Sequence, residues 1–126
     1  MLFRILGPLQ VVDGDHELVL AGSGRRALLA LLLLHANEVV SADRLLDELW
    51  PDEPPASGPA ALQVRLSHLR KALGPAGRRV VTRPRGYLIE VGRSEFDVYR
   101  FEDLLAEAEH AEPARAASLL REALAL

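Results

Sequence analysis

The side chains that could bind an anion are concentrated in the middle of the chain. Residues 57–93 contain eight basic side chains and a single acidic one, Glu90. The flanking segments are acidic: residues 1–56 carry nine acidic and four basic groups, and residues 94–126 carry eight and three. A compact basic block between acidic segments predicts a local surface for a polyanion, with nucleic acid as the leading candidate. A solvated charged surface without a partner is the alternative.

Side chains that could perform catalysis or hold a metal lack the spacing that such sites require. The chain contains no cysteine, which excludes disulfides, zinc–thiolate sites and a cysteine nucleophile. Its four histidines are scattered without metal-ligand spacing, and neither Ser41 nor Ser67 lies in a Gly-x-Ser-x-Gly sequence. Gly22-Ser23-Gly24 is not followed by the Lys-Ser/Thr pair of a phosphate-binding loop. We therefore expect no enzymatic activity, no metal and no cofactor.

The length of the chain allows one ordinary domain, or one small domain and a fragment of another. The 126 residues are 49% hydrophobic and 26% charged, which is typical of globular proteins and excludes disorder along the whole chain. Gly7-Pro8 interrupts the opening apolar stretch, so it does not form a signal peptide. The longest apolar run, residues 27–34, is far below the roughly 20 residues of a membrane helix. We expect a soluble, cytoplasmic protein without membrane contact.

The basic block opens with a predicted helix over residues 59–73 that has one apolar and one polar face. Gly58 precedes a proline in the first turn, and Gly74-Pro75 closes the end, as is usual at helix termini. The core stripe, whose members lie within about 60° of each other at 100° per residue, consists of Leu62, Leu66, Leu69 and Leu73. The opposite face presents Ala60, Val64, Ser67, His68 and Lys71, with Gln63, Arg65 and Arg70 on the flanks.

A β-hairpin with a basic tip follows this helix. Residues 79–82 and 87–91 predict its strands, and Arg83-Pro84-Arg85-Gly86 predicts its turn. A DNA major groove, about 12 Å wide, admits one helix. A neighbouring hairpin can then carry an arginine to the minor groove, where a narrow groove has a strongly negative potential. A basic helix followed by a basic hairpin is therefore the layout of a winged helix-turn-helix.

The elements before the basic block complete this layout. Residues 2–12 predict a strand that turns at Asp13-Gly14 and returns over residues 17–20. Residues 25–36 predict a helix that is apolar nearly all round and largely buried. Its expected caps are Ser23 or Gly24 at the start and Asn37 at the end. A second helix over residues 42–49 is expected to be capped by Ser41, to turn Leu45, Leu46 and Leu49 inward, and to end at Trp50-Pro51.

Residues 96–126 contain only helical patterns. The first pattern has an apolar stripe formed by Phe101, Leu104, Leu105 and Ala108. The second begins at Pro113 and is expected to turn Leu119, Leu120 and Leu124 inward. Two helices cannot bury both of their apolar faces alone. The segment is therefore expected to be a fragment of a second domain, or to pack on the first domain or on another chain.

The predicted fold class is thus α+β: a winged helix-turn-helix with an N-terminal antiparallel sheet, three helices and a C-terminal β-hairpin wing, then an all-α helical hairpin fragment. We expect a DNA-binding domain over residues 1–93 and a separate helical segment over residues 94–126.

The sequence resembles the Streptomyces antibiotic regulatory protein family, whose DNA-binding domain is similar to the OmpR/PhoB-type winged helix. The matching stretches are FRILGPLQV, RALLALLLLHANEVVSADRLLDELWPDEPP, LQVRLSHLRKALG and VVTRPRGYLIEV. Residues 96–126 resemble the opening helices of the bacterial transcriptional activation domain that follows in that family. The resemblance implies several further helices, so residues 94–126 correspond to a truncated domain of that kind.

The resemblance implies roles for residues on the outer face of helix 59–73. The position of Val64 is one that meets thymine methyl groups, for which an apolar side chain is suited. Gln63, Ser67 and His68 are placed for base edges or phosphates, although many relatives have arginine at the position of His68. Arg70 and Lys71 resemble phosphate contacts.

Further contacts are expected from the hairpin and from the first helix. Arg83 resembles the wing arginine that enters the minor groove, and Arg85 adds a phosphate contact. Tyr87 either offers its hydroxyl to a phosphate or packs the wing against the core. The positive charges of Arg25 and Arg26 are unfavourable at the start of a helix, where the helix dipole is also positive. Either a nearby phosphate or solvation must offset this repulsion. Trp50 is expected mainly in the core.

The resemblance also implies partners. The loop of Pro51, Asp52, Glu53, Pro54 and Pro55 resembles a transactivation loop that contacts RNA polymerase holoenzyme; the alternative is a long surface loop. Two copies are expected on direct repeats of promoter DNA, forming a homodimer there. The expected function is a sequence-specific double-stranded-DNA-binding activator of antibiotic biosynthesis genes. The alternative is a winged-helix module that binds a protein partner and not DNA.

Overall fold

The chain divides into two compact units in the computed structural model, which describes residues 1–126. The terminal unit combines Met1–Glu17 with Gly92–Leu126, and the central unit is Leu18–Val91. The elements in chain order are β1 (Leu2–Arg4), β2 (Gln10–Asp13), β3 (His16–Leu18), α1 (Ser23–Leu34), β4 (Val40–Ser41), α2 (Ala42–Leu49), α3 (Pro59–Leu73), a 3-10 helix (Gly74–Arg79), β5 (Val80–Arg83), β6 (Gly86–Ile89), α4 (Asp97–Glu109) and α5 (Pro113–Leu124).

Helices α2 and α3 have the bounds that their terminal residues predict. The Ser41 hydroxyl accepts a hydrogen bond from the Arg44 amide at 3.1 Å and caps α2. Gly58 and Gly74 flank α3 with φ angles of 56° and 57°, which favour glycine. The predicted core stripe of α3 is confirmed: Leu62, Leu66, Leu69 and Leu73 are all buried.

Helix α1 departs from its prediction at both ends. It begins at Ser23 after Gly22 (φ 89°), with no side-chain cap, so the expected caps Ser23 and Gly24 are wrong. Gly22 adopts a positive φ that favours glycine, and the chain turns into the helix there without a side chain accepting from the first amides. Leu34 is 65% exposed, so the helix is not buried on every side. The helix ends at Leu34 with His35 as its C-cap, so the expected end at residue 36 with Asn37 as the cap is wrong, although Asn37 does adopt the expected left-handed conformation, with a φ of 63°.

The wing belongs to a three-stranded sheet in the order β4-β6-β5, with antiparallel pairs. The predicted hairpin is confirmed with slightly shifted strand ends, and Pro84 and Arg85 form its turn. Strand β4 was not predicted, because two residues are too few to show an alternating pattern. Gly86 makes the pairing possible: a Cβ there would lie 2.0 Å from the Val40 carbonyl oxygen.

Replacing Gly86 with alanine is therefore expected to lower the stability of the fold. The added methyl would displace β4 from β6, and overpacking of this kind costs about 1–3 kcal/mol. Thermal unfolding followed by circular dichroism should show a melting temperature lower by at least about 4 °C. Gly7→Ala is the control, since no atom lies within 4 Å of its added Cβ. Equal melting temperatures for the two variants would contradict the close approach of β4 and β6.

The terminal unit begins with two strands where one was predicted. β1 pairs antiparallel with β2, but residues 2–12 are not one strand. Gly7-Pro8 breaks the run, and the amides of Ile5 and Leu6 donate to the Asp97 carboxylate at 3.0 Å instead of to another strand. The buried Asp97 thus has its charge satisfied by backbone donors, at the start of α4.

Helices α4 and α5 form the predicted helical hairpin. Their shared core consists of Leu104, Ala108, Leu119 and Ala123. The expected inward positions of Leu105, Leu120 and Leu124 are wrong, because these side chains are 36%, 41% and 81% exposed. The buried line of α5 runs through Leu119 and Ala123, four residues apart, which turns Leu120 and Leu124 to the flank. None of the helices is both long enough and apolar enough to cross a bilayer.

The two units cut across the predicted domains. The sequence placed residues 1–17 in the winged-helix domain, whereas packing groups them with α4 and α5. The second division, after Val91, lies two residues before the predicted boundary. Packing does not test what each segment does, so the assignment of residues 94–126 to an activation domain stays a prediction.

Candidate nucleic-acid interface

The outer face of α3 is exposed along its length. Burial of the leucine stripe turns the opposite side of the helix to solvent. Val64 is 54% exposed although it is a large apolar side chain. The polar candidates on the same side are also exposed, namely Gln63, Ser67, His68 and Lys71. This face offers hydrogen-bond donors and acceptors together with one apolar contact, which is the chemistry needed to read base edges.

The wing, which belongs to the same central unit as α3, presents two arginines to solvent. Arg85 is exposed in the turn, and Arg83 is exposed at the end of β5. The Arg83 guanidinium bends back along the hairpin, donating to the Thr82 carbonyl at 3.3 Å and approaching the Glu90 carboxylate at 3.5 Å. An exposed ion pair of this kind is weak, so Arg83 is readily available to another anion.

Tyr87 and Arg70 are more engaged with the protein than the outer-face residues are. Tyr87 is half-buried in β6, where it pairs with Val40 and Thr82. Arg70 donates from Nε to the Val80 carbonyl at 3.1 Å and from Nη2 to the Thr82 hydroxyl at 3.0 Å. Phosphate contacts of Tyr87 and Arg70 stay predictions.

Sequence reasoning missed a site built by Trp50 and Arg65. Trp50 is half-buried, and the Arg65 guanidinium lies 4.1 Å from the centroid of its ring, a cation–π contact. Gly24 leaves room for Arg65, because a Cβ there would be 2.9 Å from the Arg65 Cζ. No local signal pairs these residues, which come from α1, the end of α2 and α3. They line an open cleft of about 410 Å³ together with Gly22, Arg25, Ala61, Val64 and His68.

The remaining candidates lie at the surface. Arg25 is half-buried and Arg26 is exposed at the start of α1. The loop between α2 and α3 exposes its acidic pair, Asp52 and Glu53. Its prolines Pro51 and Pro54 are exposed, and Pro55 is half-buried.

Comparison with known proteins points to transcriptional regulators. The family model described as "Transcriptional regulatory protein, C terminal" matches residues 16–89. Regulatory protein AfsR of Streptomyces griseus is 37% identical over 112 residues, which cover 89% of this chain and 11% of AfsR. Regulatory protein DnrI of Streptomyces peucetius is 33% identical over 120 residues, covering 88% of this chain and 44% of DnrI. The chain thus spans only a small part of AfsR and less than half of DnrI.

Solved structures confirm the α+β winged-helix fold. Mycobacterium tuberculosis EmbR, solved in complex with a low-affinity phosphopeptide, superposes with a TM-score of 0.87 at 32% identity, covering 98% of this chain and 35% of that one. The C-terminal domain of the nisin resistance regulator NsrR matches with a TM-score of 0.53 at 30% identity, covering 64% and 82%. The chain therefore belongs to the transcriptional regulatory protein, C-terminal family, and carries the winged-helix domain of the Streptomyces antibiotic regulatory proteins.

Proposed function

We propose that the central unit binds double-stranded DNA in a sequence-specific manner and acts by binding, without a catalytic step or a cofactor. The observation that carries this proposal is the exposed outer face of α3, with Val64 54% exposed, in the same unit as a wing whose Arg83 and Arg85 are exposed. A helix of this width fits one major groove. The basic block supplies the charge that a polyphosphate backbone requires.

Base choice would come from the outer face of α3. Val64 would contact thymine methyl groups, while Gln63, Ser67 and His68 would hydrogen-bond to base edges. Lys71, one turn further along the helix, would bind a phosphate. Arg83 would leave its weak pair with Glu90 and enter the minor groove.

Most of the affinity would come from the cations around this face, because phosphate contacts dominate protein–DNA binding. Arg85 and the start of α1, with Arg25 and Arg26, would contact the backbone. Arg65 joins them in our proposal, because stacking on Trp50 orders its guanidinium beside Val64 and His68 in the cleft. Tyr87 would either donate its hydroxyl to a phosphate or only support the wing.

The regulatory role would be activation of antibiotic biosynthesis genes. The exposed acidic loop, Pro51 to Pro55, would contact a basic surface of RNA polymerase holoenzyme. Two copies would bind direct repeats at the promoter as a homodimer on DNA. These partners are supported by the family to which the chain belongs.

Selection from a random duplex pool, followed by electrophoretic shift titration with competitor DNA, tests the proposed function. We expect one enriched motif that binds with an affinity at least about a thousandfold above that of bulk competitor. If competitor DNA abolishes binding to every sequence, sequence-specific recognition is refuted. It would leave the module that binds a protein partner as the surviving function.

Arg65→Ala is expected to weaken binding equally for all DNA sequences, because a phosphate contact does not depend on the bases. It should also reduce the slope of log K against log salt by about one. Trp50→Leu should weaken binding by about two- to fivefold, because the charge stays but its cation–π contact is lost. Arg121→Ala, which removes an exposed arginine of α5, is the control. Unchanged affinity and slope for Arg65→Ala would remove Arg65 from the interface.

A further inference from the structure

Arg70 joins the two parts of the interface that must enter different grooves. It lies in the last turn of α3, and both of its acceptors, Val80 and Thr82, lie on β5. Thr82 immediately precedes Arg83, the proposed minor-groove residue. One planar guanidinium therefore links the recognition helix to the base of the wing by two hydrogen bonds.

The bond to Val80 uses a carbonyl that the sheet leaves unpaired. β5 is the edge strand in the order β4-β6-β5. Arg79 and Val81 face β6, since the Glu90 amide donates to the Arg79 carbonyl at 2.8 Å and Val81 pairs with Leu88. Val80 and Thr82 consequently direct their backbone groups away from β6. Arg70 satisfies one of these edge acceptors, in place of a further strand.

The chain between α3 and β5 is also packed tightly against Arg70. The 3-10 helix Gly74–Arg79 makes this connection, and Ala76 and Gly77 are buried. A Cβ at Gly77 would lie 2.4 Å from the Arg70 carbonyl oxygen. The backbone thus holds the first residue of β5 near α3, while the Arg70 side chain reaches further along the strand to Thr82.

We infer that Arg70 is a positioning residue, which braces the wing strand β5 against α3 and fixes where Arg83 stands relative to the recognition helix. The effect of this brace on DNA affinity rests on the proposed function. A helix and a wing that are already held at a fixed spacing lose less conformational entropy when they bind two grooves at once. Nε and Nη2 are occupied within the protein, so Arg70 contributes mainly through the wing and not as a phosphate contact.

Two conservative variants separate the brace from a phosphate contact. Arg70→Lys keeps the positive charge but loses the planar fork that reaches both acceptors. Thr82→Val keeps the shape and the net charge but removes the hydroxyl acceptor. Each variant should weaken binding to the selected duplex by about two- to tenfold, the effect of one or two hydrogen bonds. Arg78→Lys, on the exposed end of the 3-10 helix, is the matched control and should leave affinity unchanged.

The double mutants with Arg83→Ala carry the decisive comparison. If the brace acts through the wing arginine, the losses caused by Arg70→Lys and Thr82→Val should fall below about twofold once Arg83 is absent. Wild-type affinity for Arg70→Lys would overturn the inference. A loss for Arg70→Ala that persists in full without Arg83, with a salt slope lower by about one, would also overturn it and would identify a direct phosphate contact.

A measurement without DNA keeps the inference separate from the proposed function. The chain has no cysteine, so Ser67→Cys with Arg85→Cys gives two unique spin-label sites, on α3 and in the wing turn. Pulsed electron resonance should give a narrow distance distribution that broadens when Arg70→Lys or Thr82→Val is added. Circular dichroism melting of the same proteins verifies that they are folded. Unchanged distributions would overturn the brace, whereas a broadened distribution in a protein that binds no duplex would refute only the proposed function.

Discussion

Raising the salt concentration from 50 to 200 mM should weaken binding to the selected duplex by about a thousandfold. The proposed interface places about six cations against the phosphates or, for Arg83, in the minor groove between them, and each releases close to one counterion, which gives a slope of log K against log salt near −5. The cations are Arg25, Arg26, Arg65, Lys71, Arg83 and Arg85. Fluorescence anisotropy of a labelled duplex, titrated at four or more salt concentrations, measures this slope.

Two controls support the interpretation of that slope. Thermal unfolding over the same salt range should change little, which shows that the folded protein is being compared. Substituting Lys71 with glutamine should make the slope less steep by about one. A flat response between the two salt concentrations would contradict phosphate contact by the basic block.

Removing the wing arginine should cause the largest loss among single side chains. Arg83→Ala is expected to reduce affinity by about tenfold or more, because a groove contact of an arginine is worth about 1–3 kcal/mol. The loss should be greatest for duplexes with a narrow, A·T-rich minor groove beside the motif, where the potential is most negative. Shift titrations on paired duplexes that differ only in this flank measure the effect.

His68→Ala distinguishes the two halves of the interface. We expect it to relax preference at one base pair of the selected motif, without changing the response to the flank, if His68 reads a base edge.

Arg115→Ala, at an exposed ion pair of α5, provides a charge-matched control for Arg83→Ala. Equal affinity for Arg83→Ala and the wild type on both flanks would exclude the wing from DNA.

Local signals predicted the helices that carry the interface. Ser41 before α2, and Gly58 and Gly74 around α3, act on backbone groups within one turn of themselves, so both helices could be bounded from sequence. The leucine spacing of α3 predicted its buried face, because residues three and four apart lie on the same side of a helix. Strand β4 was missed, because its two residues become a strand only by pairing with β6.

The parts that sequence could not predict depend on residues far apart in the chain. The amides of Ile5 and Leu6 end β1 by donating to Asp97, over 90 residues later. The stack of Arg65 on Trp50 and the bonds of Arg70 to β5 likewise require the folded chain. The sequence shows which residue stands at each of these positions, but it does not show which distant residue that side chain or amide contacts.

Site-directed DNA cleavage tests the central claim most directly. Because the chain has no cysteine, an iron–EDTA cleaving group can be attached at Ser67→Cys, at Arg85→Cys, or at Arg115→Cys as a control. The account predicts cuts within the selected motif from Ser67 with the strand stagger of major-groove cleavage, and cuts in the flank from Arg85 with that of minor-groove cleavage. A protein that binds its duplex but is cut no more from Ser67 than from Arg115 would contradict a recognition helix at α3.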